Sequence, residues 1–308
     1  MARRRKGDAL SGWICLDKPL DLTSTQAVGR VRRALGAQKA GHAGTLDPLA
    51  TGILPIALGE ATKTVAYAMN GRKRYRFRIR WGVARDTDDS EGEIVGESDV
   101  RPDRDMIEAV LPRFTGTILQ RPPSYSAIKI AGRRAYALAR ADRAPVLDLR
   151  PVEIVSLRLT STPDRDHADC EAVVGKGSYI RALARDLGTA LGTFGHIAEL
   201  RRLAVGPFTV AQAISLESDG DAQHIAEACR HLLPIETALD GIPALALAAA
   251  EAGRLRCGQR VALAGPGCET PGRPLDSGAV VSAWHGPALV ALARVENGAL
   301  QALRVINC

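Results

Sequence analysis

The segment at residues 41–63 reads GHAGTLDPLATGILPIALGEATK and is the most informative stretch of this chain. Its first half combines small residues with a proline directly after Asp47, which is typical of a loop. Its second half, at residues 53–58, is almost continuously apolar and predicts a buried strand. Asp47 could simply open the turn before Pro48, as aspartates commonly do. A catalytic interpretation therefore needs support from other parts of the chain.

The composition describes an ordinary globular protein. The chain has 308 residues, 46% of them hydrophobic and 24% charged, which suits one large domain or one large and one small domain. Apolar stretches such as residues 242–250 are too short to span a bilayer. The basic start MARRRK is not followed by an apolar core, so it does not predict a secretion signal. We expect a cytoplasmic protein that does not enter a membrane.

The cysteines argue against a metal centre. All six lie far apart and none forms a Cys-x-x-Cys pair, whereas zinc sites use closely spaced ligand pairs. We expect free thiols, and no metal or cofactor. The positions are Cys15, Cys170, Cys229, Cys257, Cys268 and Cys308.

Charge is distributed unevenly along the chain. The net charge is +7, but residues 1–80 hold 16 Lys and Arg against 5 Asp and Glu, whereas residues 81–240 hold 19 against 25. Such a basic third attracts a polyanion, because phosphate contacts dominate sequence-independent affinity for nucleic acids. A basic surface that merely increases solubility is the alternative.

Residues 74–81 alternate strictly between arginine and apolar residues and predict a strand. Tyr75 stands at the start of its apolar face, where its ring can line a cleft. The acidic loop that follows, residues 86–92, is not an EF-hand, because Glu91 occupies the sixth position that requires glycine. We interpret it as a hairpin loop.

Helical spacing occurs in three places. One pattern follows Thr23, and a second covers residues 102–114 with Met106, Val110, Leu111 and Phe114 as its apolar stripe. The third begins near Ser178, a predicted N-cap, and places Arg181 in the first helical turn. The helix macrodipole disfavours a cation there, so Arg181 is expected to have a carboxylate partner.

Residues 121–151 interleave tyrosines with many arginines and carry no clear core pattern. This composition suggests an insertion that contacts RNA, although an ordinary surface helix and loop would also fit. After about residue 240 a stretch rich in Gly and Pro leads into short apolar strands. These predict a separate small β domain.

The segment at 41–63 is very similar to the signature of the tRNA pseudouridine-55 synthases of the TruB type, which these enzymes share with the dyskerin-like RNA-guided enzymes. The resemblance covers about residues 11–210 in chain order, through segments at 16–19, 73–75, 86–89, 123–129, 176–181 and 200–205. It implies that Asp47 is the catalytic aspartate that initiates cleavage of the glycosidic bond. It further implies that Arg181 is the ion-pair partner of Asp47, and that Tyr75 packs against the target base.

The same resemblance implies further residues of the site. Tyr179 matches a second aromatic residue of the pocket, and Asp89 matches an acid that contacts it. His42 matches a residue that fills the space left when bases flip out of the T-loop. We interpret Lys18 and Leu200, which lie in two of the similar segments, as supports of the pocket, although core or surface duty would also explain them.

The resemblance implies an α+β fold. The catalytic domain, residues 1–240, would hold a mixed, mostly antiparallel sheet with flanking helices, an active cleft across the sheet, and an RNA-contacting insertion at about 124–151. Residues 241–308 would form a small β domain similar to the RNA-binding PUA domain. The expected substrate is the T-stem-loop of tRNA, modified at position 55 by a monomer that needs no obligate protein partner.

Three other functions fit parts of the sequence. An RNA chaperone without catalytic activity would use the basic surface but leave Asp47, Arg181 and Tyr75 unexplained. The catalytic subunit of an RNA-guided synthase would share the core and require protein partners. A metal-dependent nuclease is disfavoured by the failed EF-hand spacing.

Overall fold

The computed structural model describes residues 7–126, 128–130, 133–134, 147–215, 232–263 and 275–307. Its larger part is built from fourteen strands of the described residues, ten of which form one sheet. The strands are β1 (Gly12–Lys18), β2 (Ala40–His42), β3 (Ala50–Leu58), β4 (Lys73–Trp81), β5 (Val83–Arg85), β6 (Ile94–Glu97), β7 (Gly116–Gln120), β8 (Lys129–Ile130), β9 (Arg133–Arg134), β10 (Arg150–Asp164), β11 (His167–Val174), β12 (Gly195–Val205), β13 (Phe208–Thr209) and β14 (Ile214–Ser215).

The large sheet has the order β14-β1-β3-β12-β4-β11-β10-β7, with β2 beside β3 and β13 beside β12. The pairs β1–β14 and β3–β12 are parallel, and the other pairs in this sheet are antiparallel. The predicted α+β class with a mixed, mostly antiparallel sheet is therefore confirmed. The helices of this part are α1 (Ser24–Ala34), α2 (Val65–Asn70), α3 (Arg104–Val110) and α4 (Ile180–Ala190), with 3₁₀ turns at Gly59–Lys63, Leu111–Phe114, Val210–Gln212 and Ile235–Leu239.

Strand β1 is buried on both faces, because alternate side chains point to opposite sides of a sheet. Ile14 and Leu16 join a core under α1, whereas Trp13 and Cys15 join a second core on the other side. Strand β3 divides its side chains between the same two cores. Burial on both faces explains the continuous apolar run that predicted this strand.

Helix α1 begins at a capping box. The Gln26 amide donates to Oγ1 of Thr23 at 3.2 Å, and the Thr23 amide donates to Oε1 of Gln26 at 2.9 Å. Such a cap stabilises a helix by about 1 kcal/mol. Ala27 and Val31 then pack against the sheet and fix α1 beside the loop that carries Asp47.

Strand β4 confirms the alternation seen in the sequence. Phe77, Ile79 and Trp81 are buried in a core that α3 and α4 complete. The arginines face the other side, where Arg78 donates to Asp169 at 2.7 Å. Strands β5 and β6 pair as a hairpin around the acidic loop, as expected.

Two helix predictions need correction. Residues 102–114 are split, because Pro112 cannot donate the amide hydrogen bond that an α-helix requires, and a 3₁₀ turn replaces its end. In α3 the buried residues are Ile107 and, as predicted, Val110, whereas Met106 is 45% exposed. Ser178 is not an N-cap: α4 begins after Tyr179, whose amide donates to the Gln120 side chain at 2.8 Å.

The C-terminal strands form a second, five-stranded sheet, which confirms a C-terminal β domain. Its order is β15-β17-β18-β19-β16. Leu289, Leu292 and Ile306 pack with Trp13 of β1, so this domain covers the face of the large sheet opposite α1. Its elements are β15 (Ala244–Ala246), α5 (Ala249–Arg256), β16 (Val261–Ala262), β17 (Val280–His285), β18 (Ala288–Glu296) and β19 (Ala299–Val305).

Most of the predicted RNA-contacting insertion lies outside the described residues, which omit 127, 131–132 and 135–146. Within it, the structure describes the paired strands β8 and β9. Cys15, Cys170 and Cys257 are free thiols, as predicted; the other three cysteines also lie outside the described residues. In the described part of the chain, no helix is both long and apolar enough to cross a membrane.

Candidate active site

A cleft of about 310 Å³ opens beside the loop that joins β2 to β3. The loop, the start of β4, the end of β11, the start of α4 and the middle of β12 all contribute to its walls. The lining residues include Gly44, Asp47, Lys73, Tyr75, Tyr179, Arg181, Leu200 and Arg202. Five of the eight residues singled out from the sequence therefore line one cleft, although they lie up to 153 positions apart in the chain.

Asp47 and Arg181 form an ion pair in this cleft. Oδ2 of Asp47 lies 3.0 Å from Nε of Arg181. The Asp47 side chain is 39% exposed, whereas that of Arg181 is 7% exposed. A solvent-accessible carboxylate is thus oriented by a cation that is itself buried. The carboxylate partner predicted for an arginine at the start of α4 is confirmed.

The acidic hairpin loop forms a socket for Arg181. Nη1 of Arg181 donates to the Thr87 carbonyl at 2.7 Å and lies 3.4 Å from Oδ2 of Asp89. Nη2 donates to the Tyr125 carbonyl at 2.9 Å. Asp89 is held in turn by the hydroxyl of Thr87 at 2.6 Å. The Asp89 carboxylate is held by Arg181, the Thr87 hydroxyl and the Glu91 amide, and its expected contact with Tyr179 stays a prediction.

A second arginine on α4 strengthens this socket. Arg185 lies one helical turn after Arg181 and donates to Asp88 at 2.8 Å. It also donates to the Arg121 carbonyl at 2.7 Å. Burial raises the pKa of Asp88 to about 6, although Arg185 opposes the shift. Because residues four apart share a helix face, two arginines anchor the hairpin loop to α4.

Lys18 lies beneath the Asp47 loop rather than on its surface. It is fully buried, and its Nζ donates to the carbonyls of Pro19 at 2.7 Å and Pro48 at 3.2 Å. Burial lowers the pKa of Lys18 to about 8, opposed by the charge of Asp47. Ser24 holds the same loop through Leu46, whose amide donates to the serine hydroxyl at 2.8 Å.

Two tyrosines line the same cleft as Asp47. Tyr75 is half-buried at the start of β4. Tyr179 is fixed through its backbone, because Gln120 accepts from its amide at 2.8 Å and donates to its carbonyl at 3.1 Å. Burial raises the pKa of the Tyr179 phenol. Leu200 adds an apolar surface, so the cleft suits a flat ring.

His42 lies apart from these residues. It ends β2 opposite Ile56, is half-buried, and is not among the residues that line the cleft. Within the described ranges, no cluster of three or more His, Cys, Asp or Glu could hold a metal ion.

Comparison with known proteins shows the family of this chain. The model of the TruB family pseudouridylate synthase N-terminal domain matches residues 32–180, and the model of the tRNA pseudouridylate synthase B C-terminal domain matches residues 181–240. The tRNA pseudouridine synthase B of Caulobacter sp. (strain K31) is 55% identical over 308 residues, covering 100% of this chain and 99% of the relative. That of Rhodospirillum rubrum is 54% identical over 309 residues, covering 100% of both chains.

This chain belongs to the TruB family. It is therefore a pseudouridine synthase, an isomerase. Solved structures support the fold: the crystal structure of a Cbf5-Nop10-Gar1 complex matches 96% of this chain and 85% of its own, with a TM-score of 0.73 and 27% identity. An H/ACA RNP bound to a substrate RNA containing 2′-deoxyuridine matches 100% of this chain and 92% of its own, with a TM-score of 0.74 and 23% identity.

The sequence missed three residues that shape the TruB site. Arg202 and Lys73 line the cleft from β12 and β4, and Gln120 fixes Tyr179. One of them was detectable: Arg202 lies two positions after Leu200 in a strand, so both side chains share one face. Lys73 is buried with its Nζ on the carbonyls of Met69 and Gly71, and burial lowers its pKa to about 8.

Proposed function

We propose that this chain converts the uridine at position 55, in the T-loop of tRNA, into pseudouridine, with Asp47 as the catalytic group. The observation that carries the proposal is the exposed carboxylate of Asp47, held by the buried Arg181 in a cleft with aromatic walls. The chain's relatives are named tRNA pseudouridine synthases at more than 50% identity over their full length, which supports tRNA as the substrate.

The reaction is an isomerisation in which every atom is accounted for. The bond between N1 of uracil and C1′ of ribose breaks, and a bond between C5 and C1′ forms. The proton on C5 leaves to solvent, and N1 takes up a proton. Asp47 can attack C1′, remove the C2′ proton or add to C6. All three routes require an ionised carboxylate, and Nε of Arg181 orients the Asp47 carboxylate at 3.0 Å.

The aromatic walls give the base a place to bind. A base must leave the helical stack before it can meet the carboxylate, and Tyr75 and Tyr179 both line the cleft beside Asp47. In the proposed complex, Tyr75 packs against the extruded uracil and its hydroxyl can relay a proton. Asp89 holds Arg181. Lys18 supports the loop and Leu200 supports the pocket, while His42 fills the space that the flipped bases leave.

In this proposal the chain has two domains. Residues 1–240 form the catalytic domain, and residues 241–308 form a small PUA-like domain that binds RNA. Arg254 and Arg256, exposed in the last turn of α5, support a phosphate contact by the second domain. The insertion at about 124–151 would add further contacts. The protein would act in the cytoplasm as a monomer, without an obligate protein partner, cofactor or metal.

The test is tritium release from unmodified tRNA labelled at C5 of uridine, with no metal or cofactor added. We expect release by the wild type and none by Asp47→Asn, whose tRNA affinity should stay close to that of the wild type because many cations carry the binding. A tRNA with cytidine at position 55 should yield no release above background.

Three results would contradict parts of this proposal. Binding lost in proportion to turnover in Asp47→Asn would mean that the aspartate serves affinity rather than chemistry. Release from the position-55 variant would move the target elsewhere. Tight binding without release by the wild type would favour an RNA chaperone or the subunit of an RNA-guided enzyme, the latter being suggested by the likeness to the Cbf5 complexes.

A further inference from the structure

Arg202 is a buried cation beneath the active-site loop. The residue is 1% exposed, and no ion pair of Arg202 occurs within the part of the chain that the structure describes. A guanidinium removed from water is costly unless its donors are satisfied. The hydrogen bonds of Arg202 are therefore a guide to its role.

These hydrogen bonds all go to main-chain carbonyls on either side of Asp47. Nη2 donates to Gly44 at 3.0 Å and Nη1 to Thr45 at 3.3 Å, while Nε donates to Ile53 at 2.7 Å. The guanidinium thus joins the start of the catalytic loop to the strand that follows it. Its planar fork can do this because its donors are fixed relative to one another.

The rest of the loop is held by other groups. The Leu46 carbonyl accepts from the Ser24 hydroxyl at 3.0 Å, the Asp47 carbonyl from the Ala50 amide at 3.1 Å, and the Pro48 carbonyl from Lys18. With Arg202, every carbonyl from residue 44 to residue 48 is engaged. Loss of Arg202 would release the first two and leave the last three.

Two glycines lie against this arginine, Gly44 in the loop and Gly52 in β3. A Cβ on Gly52 would lie 2.2 Å from the Arg202 carbonyl, so only glycine lets β12 approach β3 at that point. A Cβ on Gly44, where φ is +99°, would lie 3.6 Å from Nη1 of Arg202. The backbone of the loop and the arginine therefore fit one another closely.

We propose that Arg202 is a positioning residue, which holds the main chain around Asp47 so that its carboxylate meets both Arg181 and the target base. This inference rests on the proposed isomerisation by Asp47. The side chain of Arg202 is buried and each of its three nitrogens donates to a carbonyl of the protein, so we expect no phosphate contact from it. Its loss is expected to lower the rate of chemistry and to leave tRNA affinity intact.

The experiment compares Arg202→Met and Arg202→Lys with the wild type in single-turnover tritium release and in tRNA affinity. Arg201→Met is the matched control, since the neighbouring Arg201 is 38% exposed and pairs with Asp17 at 2.6 Å on the other face of β12. Val205→Ala truncates a core residue later in the same strand and is the control for lost stability. Each variant is assayed at the same number of degrees below its own melting temperature.

We expect Arg202→Met to lower the single-turnover rate by about 100-fold, the effect of misplacing a catalytic group by about 1 Å. Its tRNA affinity and the rate of Arg201→Met should stay within about threefold of wild type. Arg202→Lys should recover part of the rate, because one ammonium can still reach some of the carbonyls.

Other results would overturn the inference. The first is a single-turnover rate of Arg202→Met within about threefold of wild type. The second is a loss of tRNA affinity in Arg202→Met as large as its loss of rate. The third is a loss of rate in Val205→Ala as large as that in Arg202→Met. If Arg202→Met does not fold, Arg202→Lys decides: a folded lysine variant with the wild-type rate would refute a positioning role. A wild type without release would instead refute the proposed function, so the two failures remain distinct.

Discussion

Replacement of Arg181 by methionine separates the structural and the catalytic duties of one side chain. Methionine keeps much of the apolar stem but removes the guanidinium that pairs with Asp47 and Asp89. The two carboxylates differ in exposure, at 39% for the Asp47 side chain and 7% for that of Asp89. Loss of the cation should therefore affect folding mainly through Asp89 and catalysis mainly through Asp47.

The structure allows the size of the effect on stability to be worked out. The exposed Asp47 contributes about 1 kcal/mol or less. Removing one partner of a buried pair costs about 3–5 kcal/mol, lessened here because Asp89 keeps its bonds to Thr87 and to the Glu91 amide. We expect Arg181→Met to lower the free energy of unfolding by about 4 kcal/mol, and the melting temperature by about 6 °C.

Activity should respond differently from stability. Without Arg181 the Asp47 carboxylate loses its orientation, and the single-turnover rate should fall by about 100-fold to 1000-fold. Adding Asp89→Asn to Arg181→Met removes the unpaired buried charge and should restore about 2 kcal/mol of stability. It should restore none of the rate, because Asp47 remains without its partner.

Urea denaturation measures the stability of the single and double variants, and single-turnover tritium release measures their rates. Asp89→Asn alone is the control. A double variant no more stable than Arg181→Met would show that the buried charge of Asp89 is not the main cost. Recovery of turnover along with stability would show that Arg181 acts through folding alone, and the reasoning about Asp47 would be wrong.

Three further predictions concern the surroundings of the site. Burial lowers the pKa of Lys73 to about 8, so above that pH the folded protein binds fewer protons than the unfolded chain. The free energy of unfolding of the wild type, relative to that of Lys73→Met, should therefore rise by about 3 kcal/mol between about pH 8 and pH 10.5. Urea denaturation across this pH range measures it. Ser24→Ala breaks two buried hydrogen bonds to Leu46 and should cost about 2 kcal/mol in the same assay; an unchanged midpoint would contradict it. Arg133→Ala combined with Arg134→Ala should weaken tRNA binding and reduce the slope of log affinity against log salt by about 1 for each lost phosphate contact, and an unchanged slope would exclude a phosphate contact there.

Much of the fold could be predicted because its signals are local. The apolar run of β3, the alternation of β4 and the helical spacing of α4 each reflect which faces of a single element are buried. The helical pattern of α1 after Thr23 was recognisable for the same reason. The errors arose where a neighbour intervened: Pro112 ended a helix early, and Tyr179, held by Gln120, precedes the first turn of α4 in place of Ser178.

The sequence by itself determined the element types, the α+β class and, through one segment at residues 41–63, the aspartate around which the site is built. Apart from Arg181, which the family resemblance implied, the groups that hold that aspartate and its partner were decided by tertiary structure alone. Asp89 pairs with Arg181, and Arg202 reaches the carbonyl of Gly44 across 158 positions of the chain. Local periodicity shows which face of an element is buried, whereas hydrogen-bond partners depend on strand order and register, which arise only when the whole sheet assembles.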